Sequence, residues 1–331
     1  MRADACHCLP LVAPGGDASA RLTLQALTTD PRTGDVLEGW LTDPAGARWP
    51  ILDGIAILVP EPRTYVASHP EQWDLDTVVS SDLRAWLGDL LPGVNRDKYD
   101  TQRVLDEYLW LHYDGLLDTA HPAALPTPMD GFFTPTLRAL SDLPDGPVLD
   151  AGCNVGRMTF ELARSRFALG FDYSWASIRA ARTLLTKGSM TYRKRHVGTA
   201  STVVQIDAPP SRDLEFVVAD AAAPPVAPGW MAGVVAMNLI DRVPDPAAVV
   251  RALDRCVVAE GCLVITDPFS WDVLYTPPDR WLDGPEALIA LLTNELGYRV
   301  GASQNLCLPI RETDRFLQVS CPALIVGRRR T

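Results

Sequence analysis

From Val148 onward the sequence alternates between strand-like and helix-like segments, and this constrains the fold more than any other feature. PVLDAG, ALGFDYS, LEFVVADA, AGVVAMNLID and GCLVITDP are apolar runs without polar alternation. Such runs suit strands buried on both faces of a parallel sheet. RMTFELARSR, WASIRAARTLLTKG and PAAVVRALDRCV have helical spacing between them, and GPEALIALLTNELG follows the last strand. The chain then ends on two strand-like runs with no helix between, RVGASQNLCLPIRE and RFLQVSCPALIVGRR. They predict an antiparallel hairpin that closes the sheet. The fold class is therefore α/β.

The rest of the chain divides in two. Residues 1–60 are short β-like runs separated by the turn signals PGGD, DPRTGD, DPAG and LDG, a small β-rich module. Residues 61–139 form a helical connector and active-site cover. SSDLRAWLGDLL and DKYDTQRVLDEYLWLHYDGLLD have helical spacing, and the Pro-rich HPAALPTPMDGFFTP links them to the α/β domain at 140–331. Residues 189–212 follow no period and hold a basic cluster, Arg193 to Arg195. A solvated loop is expected there, with a cover over the site as the alternative.

A length of 331 residues is ample for a large buried core. The net charge of −11 argues against a nucleic-acid partner, which selects a basic surface. No apolar run approaches the ~18 residues of a membrane span, and MRADACHCLP lacks the charged-then-apolar pattern of a secretory leader. Seven cysteines, an odd number scattered over a long chain, fit reduced thiols in a cytoplasm better than a disulfide framework. The expected partner is a small-molecule substrate. The oligomeric state is open.

The first strand of the α/β region runs into LDAGCNVGRMTFELA, with Gly152 and Gly156 four apart after Asp150. In an open α/β sheet, ligands bind beyond the carboxyl ends of the strands where strand order reverses, and glycine lets backbone approach a ligand closely. A dinucleotide fingerprint would need G-x-G-x-x-G. Here Asn154 replaces the middle glycine and the last glycine comes one residue early. The next strand ends in Asp172, 22 residues after Asp150, placed to accept hydrogen bonds from two ribose hydroxyls. The third strand ends in Asp220, followed by Ala221, where an adenine amino group can be met. A single strand-end acid is common in turns. Three in register with a glycine turn form a ligand-site pattern, against which stands a nucleotide-free domain of the same fold.

On these residues the chain from about 140 to 331 resembles a class I S-adenosylmethionine-dependent methyltransferase, whose glycine motif is D-x-G-x-G-x-G. The resemblance implies a Rossmann-like sheet, S-adenosylmethionine as cofactor, and Asp150, Gly152, Asn154, Gly156, Asp172, Tyr173, Asp220, Ala221 and Asn238 around it. A narrower resemblance rests on MNLIDRVPDP (237–246), DPFSWDVLYTPPDRWL (267–282), LPIRETDRFLQ (308–318) and EYLWLHYDG (107–115). These look like the C-terminal methyltransferase domain of ovothiol synthases, which methylates an imidazole nitrogen of a thiol-bearing histidine. The iron-dependent part of those enzymes has no counterpart here, so the substrate does not carry over. CHCLP (6–10) and the W-P-I-x-D-G-I run from Trp49 to Ile55 resemble a small zinc ribbon. Where metal-bearing members have their second cysteine pair, this chain has Asp43 and Gly46. The neighbouring Cys6, His7 and Cys8 would splay around one ion. No metal is expected, and the module should pack on the α/β domain.

Catalytic candidates are Tyr173, Asn238, His112 and Asp241. Tyr173 follows the ribose acid and can face a sulfonium by cation–π attraction, or pack beneath the loop. Asn238 can hold a polar substrate atom, or serve the turn before a helix. His112 or Asp241 is the candidate base where the nucleophile arrives protonated, and Asp241 can equally anchor Arg242. Substrate-binding candidates are Arg311, Tyr108 and Tyr113. Arg311 offers a bidentate grip on a carboxylate, or a salt bridge to a neighbouring acid. Tyr108, His112 and Tyr113 share one helix face, as a core stripe or a lid.

Three functions follow. The first is methylation of a small amino-acid-like molecule, with nitrogen as a candidate acceptor. The second keeps the cofactor but cyclises its aminobutyryl chain to a ring amino acid of the azetidine-2-carboxylate type, releasing methylthioadenosine. The third is an RNA-modifying or non-catalytic binding protein, which the negative charge disfavours.

Overall fold

The computed structural model describes residues 1–2, 9–15, 20–69, 80–87, 101–114, 125–211 and 213–330. Cys6, His7 and Cys8 lie outside the described residues, so the ribbon's first ligand pair has no structural counterpart to compare. Among the described residues no group of three His, Cys, Asp or Glu side chains is placed to hold a metal. No described helix is long and apolar enough to cross a membrane.

The chain opens with β1 (Thr23–Thr29), β2 (Val36–Thr42), β3 (Arg48–Leu52) and β4 (Ile55–Leu58), an antiparallel meander. β3 and β4 are joined by Asp53 and Gly54, both left-handed with φ 47° and 75°. A two-residue hairpin turn of matching twist requires that conformation. Short helices α1 (Pro62–Ser68) and α2 (Ser81–Leu87) follow. Helix α3 (Gln102–Leu109) widens into a π turn over Trp110–Asp114, and a second π turn over Met129–Phe133 leads into α4 (Thr134–Ala139).

The α/β region runs β5 (Val148–Ala151), α5 (Arg157–Leu162), β6 (Ala168–Asp172) and α6 (Trp175–Lys187). Next come β7 (Ser189–Arg195), β8 (Ser201–Asp207), β9 (Leu214–Ala219) and β10 (Met231–Met237). They are followed by α7 (Pro246–Cys256), β11 (Val257–Asp267) and α8 (Pro285–Ala290). The last elements are β12 (Tyr298–Val300), β13 (Gln304–Asn305), β14 (Leu308–Thr313), β15 (Phe316–Ser320) and β16 (Ala323–Arg329).

Sequence cues end the helices where they should. Ser174 accepts from Ser177 N–H at the start of α6, and Gly188, left-handed at φ 76°, closes it. Asp245 accepts from Ala248 N–H ahead of Pro246 at the start of α7.

One sheet runs β1-β2-β3-β4-β9-β6-β5-β10-β11-β16-β12. Its centre, β4-β9-β6-β5-β10-β11, is parallel. Leu149, Leu169, Val217, Val234 and Ile265 are fully buried there, as apolar runs covered on both faces require. β16 lies antiparallel between β11 and β12, so the terminal segment closes the sheet antiparallel. The N-terminal meander contributes more than surface packing: β4 pairs with β9 and extends the same sheet.

Two expectations need correction. Of the expected loop at 189–212, residues 189–207 are the antiparallel β7–β8 hairpin, with Tyr192 and Ile206 buried. Alternation is hard to see there because most of its side chains are polar on both faces. The terminal hairpin is also longer than the sheet: β14 and β15 pair with each other as a separate two-stranded unit.

Candidate functional site

A cavity of about 460 Å³ opens at the carboxyl ends of β5, β6, β9 and β10. It sits where the strand order reverses, with β6 on one side of β5 and β10 on the other. Asp150, Gly152, Asn154, Asp172, Tyr173 and Asp220 line it, as do Ala221 and Asn238.

The turn after β5 gives the cavity its floor. Gly152, Asn154 and Gly156 all have left-handed backbone, with φ 71°, 49° and 86°. A Cβ on Gly152 would stand 2.9 Å from Leu239 Cδ1, and one on Gly156 2.6 Å from Phe216 Cζ. Asn154 takes the middle glycine's place because asparagine tolerates left-handed backbone. Its side-chain oxygen accepts from Val155 N–H at 2.8 Å. Gly156 does not line the cavity. It packs against Phe216 and starts α5.

The acids are held by backbone. Asp172 accepts from Asn154 N–H at 2.9 Å and Ser174 N–H at 2.8 Å. Asp220 accepts from Ala222 N–H at 2.8 Å. Asp150 is buried and accepts from the Thr159 hydroxyl at 2.6 Å. Burial, with Asp172 nearby, pushes the Asp150 carboxyl up to about 7. Asn238 has φ 51° and accepts from the Thr266 hydroxyl at 3.3 Å. Tyr173 is 48% exposed at the mouth, its carbonyl accepting from the Tyr65 hydroxyl at 2.6 Å.

The opposite wall comes from the cover. Tyr108, Leu111 and His112 descend from α3 and its π turn, Phe132 and Phe133 from the second π turn, Leu308 and Ile310 from β14. His112 is buried, and its Nδ1 has no hydrogen-bond partner among the described residues. Burial, reinforced by the Arg157 guanidinium, lowers its pKa to about 3, so the imidazole is neutral. The cover elements are tied together by Tyr192–Asp114 at 2.6 Å, Arg103–Glu312 at 3.2 Å and His196–Asp314 at 2.7 Å. The β7–β8 hairpin thus buttresses the cover without lining the cavity.

Three other expected residues lie outside the lining. Tyr113 is buried with its hydroxyl donating to Val155 O at 2.7 Å. At one residue from His112 and five from Tyr108 it stands about 100° and 140° round the helix from them, and so faces away from the lining. Asp241 is buried and accepts from Arg242 and from the Ser270 hydroxyl, each at 2.9 Å. Burial raises its pKa, and also raises that of Asp267, which Asp241 pushes further. Arg311 stands one residue out of step with Leu308 and Ile310 on β14. Period-two alternation turns it to the other face, over the Trp110 ring at 6.0 Å and towards Asp314 O at 3.3 Å.

Sequence reasoning missed Arg242, which lines the cavity while Asp241 and Ser270 hold its guanidinium. It also missed Phe132, Phe133, Leu308 and Ile310. The adjacent aromatic pair in MDGFF and the alternation in LPIRE were the available signals.

Asp172 and Asp220 line the cavity beside an Asp150 that is only partly ionised at neutral pH, and the lining guanidinium, Arg242, is already paired with Asp241, so the site favours a ligand carrying positive charge. Strand-end acids beside a turn open to close backbone approach fit S-adenosylmethionine.

Residues 149–265 match the methyltransferase domain family. The matched segment starts at Leu149 on β5 and ends at Ile265 on β11, enclosing the turn, the three acids and Asn238. No curated protein matches the chain. Among solved structures, the chain is similar to the candidate methyltransferase BH2331 of Bacillus halodurans, 14% identical, covering 60% of this chain and 99% of that one, with TM-score 0.44. Magnesium protoporphyrin IX methyltransferase (ChlM) of Synechocystis, solved with S-adenosylhomocysteine, is 16% identical over 71% of this chain and 97% of its own, with TM-score 0.46. A chain from the complex of the Haloferax volcanii Trm112 methyltransferase activator with a candidate methyltransferase is 15% identical over 71% and 99%, with TM-score 0.43.

Proposed function

We propose that the protein transfers the methyl group of S-adenosylmethionine to a small amino-acid-like molecule, at nitrogen. The observation that carries this reading is the pairing, across one cavity, of the acid-lined turn with the buried imidazole of His112, whose Nδ1 has no hydrogen-bond partner among the described residues. A buried polar atom without a partner costs free energy until a ligand satisfies it.

S-adenosylmethionine, when bound, supplies an activated methyl group on a sulfonium. Asp172 receives the ribose hydroxyls and Asp220 with Ala221 the adenine edge. Asp172, with the partly ionised Asp150, adds negative charge beside the cationic ligand. Tyr108, Phe132 and Phe133 exclude water and hold the acceptor in line. His112, with its pKa near 3, is too weak a base to take a proton at neutral pH. It orients an amine by hydrogen bonding, and the acceptor arrives deprotonated. Arg242 is the cation available for an acceptor carboxylate, the role that Arg311's position leaves open. The net charge of −11 supports a small-molecule acceptor over RNA.

Cyclisation of the cofactor's own aminobutyryl chain is the second reading. The aromatic wall of Tyr108, Phe132 and Phe133 supports it, because such a wall can hold the chain folded on itself. The test is to incubate purified protein with S-adenosylmethionine alone, then with amino acids and histidine derivatives. Acceptor-dependent S-adenosylhomocysteine supports methylation. Methylthioadenosine from the cofactor alone supports cyclisation. No calorimetric binding of the cofactor sinks both.

A further inference from the structure

The pairing of β13 with β16 sets Asn305 opposite Ala323, and the pairing of β14 with β15 sets Leu308 opposite Ser320. Both belong to one register. The terminal segment is therefore a single ribbon whose root lies in the sheet and whose outer half covers the cavity. Continued through the neck, the register puts Leu306 opposite Pro322 and Cys307 opposite Cys321. Leu306 N–H donates to Pro322 O at 2.8 Å, as the register requires. Proline has no N–H to return, so the ladder opens there. Cys307 N–H points out of the ribbon, to Gly131 O at 3.2 Å. The cysteines thus occupy a non-hydrogen-bonded pair, where opposed Cα atoms stand ~4.5 Å apart. That is within the reach of a disulfide, ~4.4–6.8 Å.

We propose that Cys307 and Cys321 are a modification site, forming a reversible cross-strand disulfide that staples the neck of the cover ribbon. Both are free thiols in this structure, Cys321 exposed and Cys307 partly so. Burial, and then Cys321 itself, raise the Cys307 pKa, which shows that the two side chains sense each other. Cys153, Cys256 and Cys262 are buried and do not compete. The oxidant is a small-molecule disulfide such as oxidised glutathione. The Cys321 thiolate attacks one of its sulfurs, its S–S bond breaks, and one glutathione thiolate leaves. Cys307 then loses its proton to solvent and attacks the Cys321 sulfur, expelling the second glutathione. Two protein thiols are oxidised, and one glutathione disulfide is reduced to two thiols. Leu308 and Ile310, which line the cavity, follow Cys307 directly. Closing the neck therefore restrains the wall they form. The inference holds whatever ligand the cavity takes.

The test equilibrates the full chain with reduced and oxidised glutathione over a range of ratios, followed by acid quench, alkylation and peptide mapping without reduction. The expected result is a peptide joining Cys307 to Cys321, two hydrogens lighter than its parts, that appears and disappears with the ratio. Amide exchange across 304–324 slows in the oxidised protein, and Cys321→Ser abolishes both effects without unfolding, since that side chain is exposed. Two results overturn the proposal. One is a glutathione adduct on Cys321 with no joined peptide, the behaviour of a lone surface thiol. The other is a joined peptide with unchanged exchange, which removes the staple.

Discussion

The backbone N–H of Asn154 donates to Asp172 Oδ2 at 2.9 Å. The turn that leaves β5 is thereby clamped to the acid that ends β6. One carboxylate shapes the turn and lines the cavity as well, so its loss should be felt twice.

Asp172→Ala should weaken binding of S-adenosylmethionine strongly. Each charge-assisted hydrogen bond lost is worth roughly 1.5–3 kcal/mol before water compensates. Asp172→Asn should fall between, because one oxygen still accepts from the turn. Calorimetric titration of the three proteins checks the order. Equal affinities would remove Asp172 from the cofactor site.

Gly156→Ala should destabilise the fold without touching a ligand. The new Cβ would meet Phe216 Cζ at 2.6 Å, and φ 86° is strained for alanine. Overpacking and a left-handed non-glycine residue together cost roughly 2–4 kcal/mol. Urea unfolding reads this directly. A midpoint shift near zero would mean that Phe216 yields at no cost.

His112 should steepen acid denaturation. Its pKa falls from 6.5 to about 3 in the fold, because burial and Arg157 disfavour the imidazolium. Below pH 6.5 the unfolded chain binds a proton that the folded chain does not. Stability is therefore unaffected above that pH and drops progressively as pH falls towards 3. His112→Phe should flatten the curve between pH 6.5 and 4. Parallel curves for the two proteins would show that the imidazole is charged in the fold.

Arg311→Lys should leave cofactor affinity and turnover within ~0.5 kcal/mol of the parent. The side chain lies over Trp110, outside the cavity lining, and lysine keeps a cation there. Arg311→Ala should lower the melting temperature. A selective loss of acceptor affinity in the lysine variant, with melting unchanged, would return Arg311 to the site as a bidentate clamp.

What the sequence determined by itself was local. Double-sided apolar runs called for buried parallel strands, and three strand ends showed an acid, because side-chain period and turn chemistry are written over a few residues. Asp150, Asp172 and Asp220 were legible for that reason, as was the Asp53–Gly54 turn. Other features depended on partners distant in the chain. The pairing of β4 with β9, which draws the N-terminal meander into the sheet, joins segments whose separate patterns do not name each other. The choice among Tyr108, His112 and Tyr113 was made by how their helix docks, which sets Tyr108 and His112 against the cavity and Tyr113 against Val155. Arg311 and Ile310 are adjacent in sequence and face opposite ways, and which of them meets the cavity was decided by where the cover ribbon docks. Burial did the same for chemistry. His112 reads as a base in sequence, and only burial and Arg157 make it too weak a base to take a proton at neutral pH.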